Sequence, residues 1–162
     1  MTMFRQLPIL AATIVSFGVL SSCAKQRIIN TDVEDTSENR RIIRFCEEYR
    51  HAVEEKDISR LLAMAETRYQ DDGGTVIGDD DIDYDGLKDY LTGKFSLAEG
   101  IRYEIRYRHV YSVDIKTIYV EYTFAASYKK PATKGMDWRH SVADNRLVLV
   151  RDGDTFKISS GM

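Results

Sequence analysis

Ile101-Arg102-Tyr103-Glu104-Ile105-Arg106-Tyr107-Arg108-His109-Val110-Tyr111-Ser112-Val113 alternates apolar or aromatic side chains with polar and charged ones over its whole length. Side chains on a strand point to opposite faces in turn, so this run reads as a long half-buried β-strand with one aromatic and one arginine-rich face. Downstream, Ile118, Val120, Tyr122, Phe124, Ala126 and Tyr128 form the inward face of a second strand. Odd inward positions then face even ones, which predicts an even-numbered loop, two or four residues, around Asp114 to Thr117. Residues 129–137, with Pro131 and Gly135, read as a longer turn.

Asp152-Gly153 is a two-residue hairpin signal that sets Leu149 opposite Phe156 and Leu147 opposite Ile158. Upstream, Trp138, His140 and Val142 read inward on even positions, whereas Leu147 and Leu149 are odd. A bulge near Asp144-Asn145 is therefore expected to shift the parity. Before the strands come helices. Asp35-x-x-Glu38 resembles a capping box, followed by Ile42, Phe45, Cys46, Tyr49, Ala52 and Val53 at spacings of three and four. Asp57 caps a second helix with Ile58, Leu61, Leu62, Ala65 and Tyr69 on one face. Residues 70–83 hold six aspartates and three glycines and read as a loop; Asp83 or Asp85 caps a third helix bearing Leu87, Tyr90, Leu91 and Phe95. The fold class is α+β: three N-terminal helices on a curved antiparallel sheet of four to five strands.

The N-terminus is different. A leader with Arg5 precedes an apolar run, residues 7–20, that is shorter than the roughly 20 residues of a membrane span. It ends in Leu20-Ser21-Ser22-Cys23. This pattern resembles the export and lipidation signal of bacterial lipoproteins. The resemblance implies a signal peptide over residues 1–22, lipid on Cys23, a flexible lipidated tether over residues 23–36 and a domain over residues 37–162. It also implies a cell-envelope location, on the outer membrane where the cell has two, since Ala24 rather than an aspartate follows the cysteine. The mature 140 residues carry 22 basic and 26 acidic side chains, a formal charge of −4 with no basic run, which argues against nucleic acid as a partner. Cys46, the only other cysteine, lies in the first helix's apolar stripe and reads as a buried, inert thiol.

The helix with Phe45 and Tyr49, the Lys56-Asp57-Ile58 break before Leu61-Leu62, the loop through Gly78 to Gly86-Leu87, and the closing Arg151-Asp152-Gly153-Asp154-Thr155-Phe156-Lys157-Ile158 together resemble the nuclear transport factor 2-like (cystatin-like) roll. That likeness spans residues 37–162. It implies a sheet curled around the helices with a cone-shaped cavity, a frame that includes isomerases, dehydratases and hydrolases of small apolar substrates.

Tyr49, Tyr107, His109, Tyr122 and His140 are the candidate cavity residues. His109 and His140 are the candidate proton shuttles, weighed against hydrogen-bonded core or rim histidines. No carboxylate stands inward on either of the first two long strands. Asp81-x-Asp83-x-Asp85-Gly86 matches the opening of a calcium loop, yet Thr92 stands where the closing glutamate belongs. A solvated acidic loop is the competing reading, and no metal or other cofactor is expected. The leading expectation is a lipid-anchored, non-catalytic binding or scaffolding module with an aromatic cavity. The alternatives are a small isomerase- or dehydratase-type enzyme and an interaction module using the outer sheet face. Expected partners are the membrane through Cys23, a small apolar ligand, and a protein partner or second copy.

Overall fold

A computed structural model describes residues 25–73 and 81–162. The leader and the lipidation candidate Cys23 lie outside the described residues. Helix α1, Ser37–Glu55, buries Ile42, Phe45, Cys46, Tyr49 and Ala52, the stripe read from the sequence. Its N-cap is Thr36, whose hydroxyl accepts from Asn39 N, one residue later than the expected box. Asp35 instead pairs with Arg40. Cys46 is fully buried, and burial pushes its thiol pKa up, so it stays protonated and unreactive. Lys56 ends α1 in the left-handed region, and Asp57 caps α2, Ile58–Met64, through Arg60 N.

Helix α2 is shorter than expected. It stops at Met64 because Ala65 turns extended and bridges to Ile158. Short strands β1, Gln70–Asp71, and β2, Ile82–Asp83, pair antiparallel before α3, Tyr84–Ser96. Four long antiparallel strands follow in the order β3-β4-β5-β6: Glu99–Ser112, Thr117–Ala132, Gly135–Asp152 and Thr155–Ser160. Ile118, Val120, Leu147, Leu149 and Ile158 on the concave face meet Leu61, Leu87 and Ile42 from the helices. Each such fully buried side chain contributes about 1.5–3 kcal/mol relative to exposure.

The parity argument fails in two places. The ladder of β4 with β5 is unbroken from Thr117↔Val150 to Ala132↔Gly135, so the expected bulge near Asp144 is absent. The bulge lies in β3, where Tyr107 pairs with Tyr122 but His109 pairs with Glu121, leaving Arg108 as the extra residue. That insertion turns His109 and Tyr111 outward, brings Val110 opposite Val120, and gives the β3–β4 turn an odd count, Ser112 facing Ile118. On β5 the uninterrupted alternation keeps Trp138, His140 and Val142 on the outer face with Arg146. Strands β4 and β5 run to Ala132 and Gly135, so residues 133 and 134 replace the expected longer turn. The final hairpin turns one residue late: Asp152 pairs with Thr155 and Leu149 with Ile158.

Residues 25–36, expected as a loose tether, form a strap on the domain. Arg27 bridges Glu34, Val33 is buried, and Asp32 N donates to Tyr107 O beside the β3 bulge. The Asp32 carboxylate accepts from Arg106 at 3.1 Å and Arg108 at 3.0 Å, and these two bonds, Arg106 first, hold its pKa below the ordinary value. A depressed folded-state pKa stabilises above the ordinary value of 3.8, and that stabilisation is lost as pH falls through the depressed one. Asp32→Asn should therefore lower the thermal midpoint modestly at pH 6, and its difference from wild type should shrink as the pH falls below 3.8. A midpoint difference that persists in acid would remove the charge from the explanation.

Candidate active site

Leaving α2, the chain is tied to β6 by Glu66 N donating to Ile158 O at 2.8 Å, and a turn closed by Tyr69 N to Glu66 O drives the Tyr69 ring inward. Strand alternation then returns Asp71 to the side of Tyr69. The Asp71 carboxylate gathers three donors. Its Oδ2 accepts the Tyr69 hydroxyl at 3.0 Å and Gly161 N at 2.8 Å, and its Oδ1 accepts Gly73 N at 3.2 Å. Tyr69 Oη in turn accepts Met162 N at 3.2 Å. Burial pushes the Tyr69 hydroxyl pKa up, so it remains a neutral donor to the carboxylate.

Asn145 joins this corner to the core. Its Nδ2 donates to Tyr122 Oη at 3.0 Å and to Gly161 O at 3.1 Å. Through Tyr122 this polar corner meets the apolar interior. Where it reaches the surface, a cleft of about 550 Å³ opens, walled by Asp71, Ile82, Tyr90, Asn145, Ser160 and Met162 among others. This volume suits a small organic ligand. One carboxylate, held by two donors on Oδ2 with Oδ1 turned to the loop amide, shares a mixed wall with Asp72, Arg146, the apolar Ile82 and Met162, and Tyr90.

The candidates read from sequence are placed differently. Tyr49, Tyr107 and Tyr122 are 3%, 2% and 1% exposed and pack in the core, where Tyr122 also reaches the floor of a surface groove that His109 lines and Tyr107 reaches a second one beside Ile105. Tyr107 Oη donates to Glu47 at 2.8 Å. His109 lies on the outer face, its side chain 71% exposed, with Nδ1 3.5 Å from Glu121. Glu121 also accepts Arg146 at 2.7 Å and Tyr111 at 3.0 Å, and these bonds, Arg146 first, hold its carboxyl below the usual range. A groove of about 580 Å³ runs here, past Arg108, which pairs with Asp32, and Asp144, which accepts the Thr123 hydroxyl. His140 is also outward, with Nδ1 3.0 Å from Ser127 Oγ and its ring stacked on Trp138. The inward reading of both histidines is thus corrected, each by a single residue of strand parity. Asp83 is occupied as the α3 N-cap, 2.8 Å from Gly86 N, and Asp85 lies in the first helical turn. That helix begins inside the Asp81-Asp83-Asp85 run, and among the described residues no three acidic or metal-ligating side chains converge.

Asp71, Tyr69 and Asn145 are the site residues that sequence reading missed. The available signal was the alternation Tyr69-Gln70-Asp71, obscured by an Asp- and Gly-rich stretch that reads as loop.

No family model matches the chain, and no curated protein matches it. Solved structures do. A candidate scytalone dehydratase from Novosphingobium aromaticivorans superposes with a TM-score of 0.65 at 15% identity, over 76% of this chain and 80% of that one. A ketosteroid isomerase-like protein from Erwinia carotovora atroseptica gives 0.62 at 15% identity, over 78% and 95%. A candidate dehydratase of the nuclear transport factor 2-like family from Streptomyces avermitilis gives 0.64 at 14% identity, over 77% and 94%. The chain has the nuclear transport factor 2-like, cystatin-like roll: three helices on a four-stranded antiparallel sheet. The expectation of a non-catalytic binding or scaffolding module is corrected at this point: solved structures that share the roll include ones named as dehydratases and as isomerase-like.

Proposed function

We propose that this chain is a small enzyme of the isomerase or dehydratase class, acting on a largely apolar carbonyl compound in the cleft beside its C-terminus. The observation that carries this reading is Asp71, a carboxylate fixed by Tyr69 and Gly161 in the wall of a cleft whose polar lining is joined by Ile82, Tyr90, Val148 and Met162. The dehydratase and isomerase names of the structural neighbours support the same class.

The chemistry follows from the groups present. A carboxylate takes a proton from the carbon next to a carbonyl, and the electron pair moves onto the carbonyl oxygen. The Tyr90 phenol, in the same wall, is placed to hydrogen-bond that oxygen. In an isomerisation the proton returns to a different carbon of the conjugated system. In a dehydration the bond to a β-hydroxyl breaks and water leaves. Incubating the protein in deuterated water with a panel of cyclic enones and β-hydroxy ketones should give deuterium at the α-carbon, double-bond migration or water loss. Silence across the panel would remove the reading.

The leader and Leu20-Ser21-Ser22-Cys23 support a cell-envelope location with lipid on Cys23. The described residues begin at Lys25, two positions after Cys23, so a lipid on that cysteine would hold the domain close to the membrane surface. Mass spectrometry of the membrane fraction tests this: an intact leader or an unmodified Cys23 would refute it.

A further inference from the structure

The sheet has two margins, and only one is guarded. On β3 the Arg108 bulge breaks the edge, the strap covers it through Asp32 N and Tyr107 O, and Arg102, Glu104 and Arg106 line it. Bulges, covering segments and charges are the usual protections of a sheet edge. On the other side β6 pairs with β5 only from Val148 to Asp152. The C-terminal residues extend that cover to Arg146, whose carbonyl lies against Gly161. From Met136 to Asp144, β5 has a regular ladder with β4 on one side and no backbone partner on the other among the described residues.

The alternation of an antiparallel ladder sets which groups are free. Since the Arg146 carbonyl points to the open side, the backbone N–H and C=O of Met136, Trp138, His140, Val142 and Asp144 point there too. The same stretch carries exposed apolar side chains on its outer face: Met136 is 40%, Trp138 50% and Val142 72% exposed. It contains no proline and no bulge, and its charged residues are Asp137, Arg139 and Asp144.

We propose that this edge pairs antiparallel with the same edge of a second copy of the chain, joining two four-stranded sheets into one. A two-fold axis must pass through the middle of such a pairing. The register that uses the whole free stretch places the axis at His140. Trp138 of each copy then lies opposite Val142 of the other, an aromatic against a β-branched residue, twice. Met136 faces Asp144, Asp137 faces Ala143 and Arg139 faces Ser141, so no two like-charged carboxylates or guanidinium groups are opposed. The alternating donors and acceptors of a bare edge are matched fully only by another strand, and this strand is its own complement.

Cross-linking reads the register directly. On a Cys23→Ser background, His140→Cys should give a disulfide-linked dimer under mild oxidation, because hydrogen-bonded opposite residues have Cα atoms about 5.5 Å apart, within disulfide reach. Met136→Cys should not, because its copies would lie eight residues apart along the strands, roughly 27 Å. In sedimentation velocity the unaltered chain should run as a dimer. Val142→Pro should run as a single 18.6 kDa chain, since its N–H faces the open side and no bond within the chain is lost. Val142→Lys makes the same test without touching the backbone. A monomeric wild-type protein, a dimer that survives both Val142 variants, or cross-linking of Met136→Cys as readily as His140→Cys would each overturn the proposal.

Discussion

Asp71→Asn is expected to lower kcat by about 10²–10⁴-fold while leaving the fold in place, the range that loss of a general base produces. The amide has the same size but cannot accept a proton at neutral pH. It also offers one accepting oxygen where the carboxylate offers two, and Oδ2 takes both the Tyr69 hydroxyl and Gly161 N. One of those donors will face an NH₂ group, at a cost of about 1–3 kcal/mol for a buried donor and toward the low end at this half-buried position. Turnover in the deuterium assay and thermal midpoint measured together separate the two effects. A near-wild-type midpoint with turnover lost assigns the proton transfer to Asp71. Unchanged turnover would strip Asp71 of the role.

Gly161→Ala should destabilise the protein by about 2–4 kcal/mol, combining backbone strain with the loss of up to three hydrogen bonds. The glycine has φ +95°, and a Cβ there would lie 2.0 Å from the Arg146 carbonyl oxygen and 3.2 Å from Leu147 Cα. Both obstacles are backbone of β5, so no rotamer change relieves them. The C-terminal segment would have to lift. It would then give up the Gly161 bond to Asp71, the Asn145 bond to Gly161 O and the Met162 bond to Tyr69. Stability and turnover should therefore fall together. Gly93 is the control: it sits inside α3 with nothing within 4 Å of a Cβ. Gly93→Ala should be neutral or stabilising by up to about 1 kcal/mol. Urea denaturation of the two variants checks the contrast, and a Gly161→Ala midpoint matching wild type would show that the C-terminus does not clamp the site.

Much of the architecture was legible because it depends on short-range periodicity. The apolar stripe of α1 and the Asp57 cap came directly from spacing, as did the aromatic faces of Tyr103 and Tyr107 on β3 and of Tyr122 on β4. What went astray depends on parity carried over distance. A strand's faces are periodic by two, so one inserted residue reverses every assignment beyond it. Nothing local in Tyr107-Arg108-His109 announces the bulge, and the strap that covers the edge there comes from residues more than 70 positions upstream. His109 was lost from the interior for that reason. His140 was lost because the expected compensating bulge in β5 does not exist.

The candidate site was less legible than the fold. Asp71 lies in a stretch whose aspartates and glycines look like solvated loop, and only contact with Gly161, 90 residues away, makes it a constrained carboxylate. Asn145 looked like the place for a bulge and proves to be the junction between the tyrosine core and the C-terminal corner.

By itself, the order of amino acids determined three amphipathic helices and a set of long antiparallel strands, since those properties are set by neighbours within a few residues. Only the tertiary structure decided which strand bulges, which histidines face solvent, where a carboxylate meets the C-terminus and which sheet edge is left bare. Those outcomes turn on hydrogen bonds and close contacts between segments tens of residues apart, and pairing at that distance is fixed by three-dimensional packing.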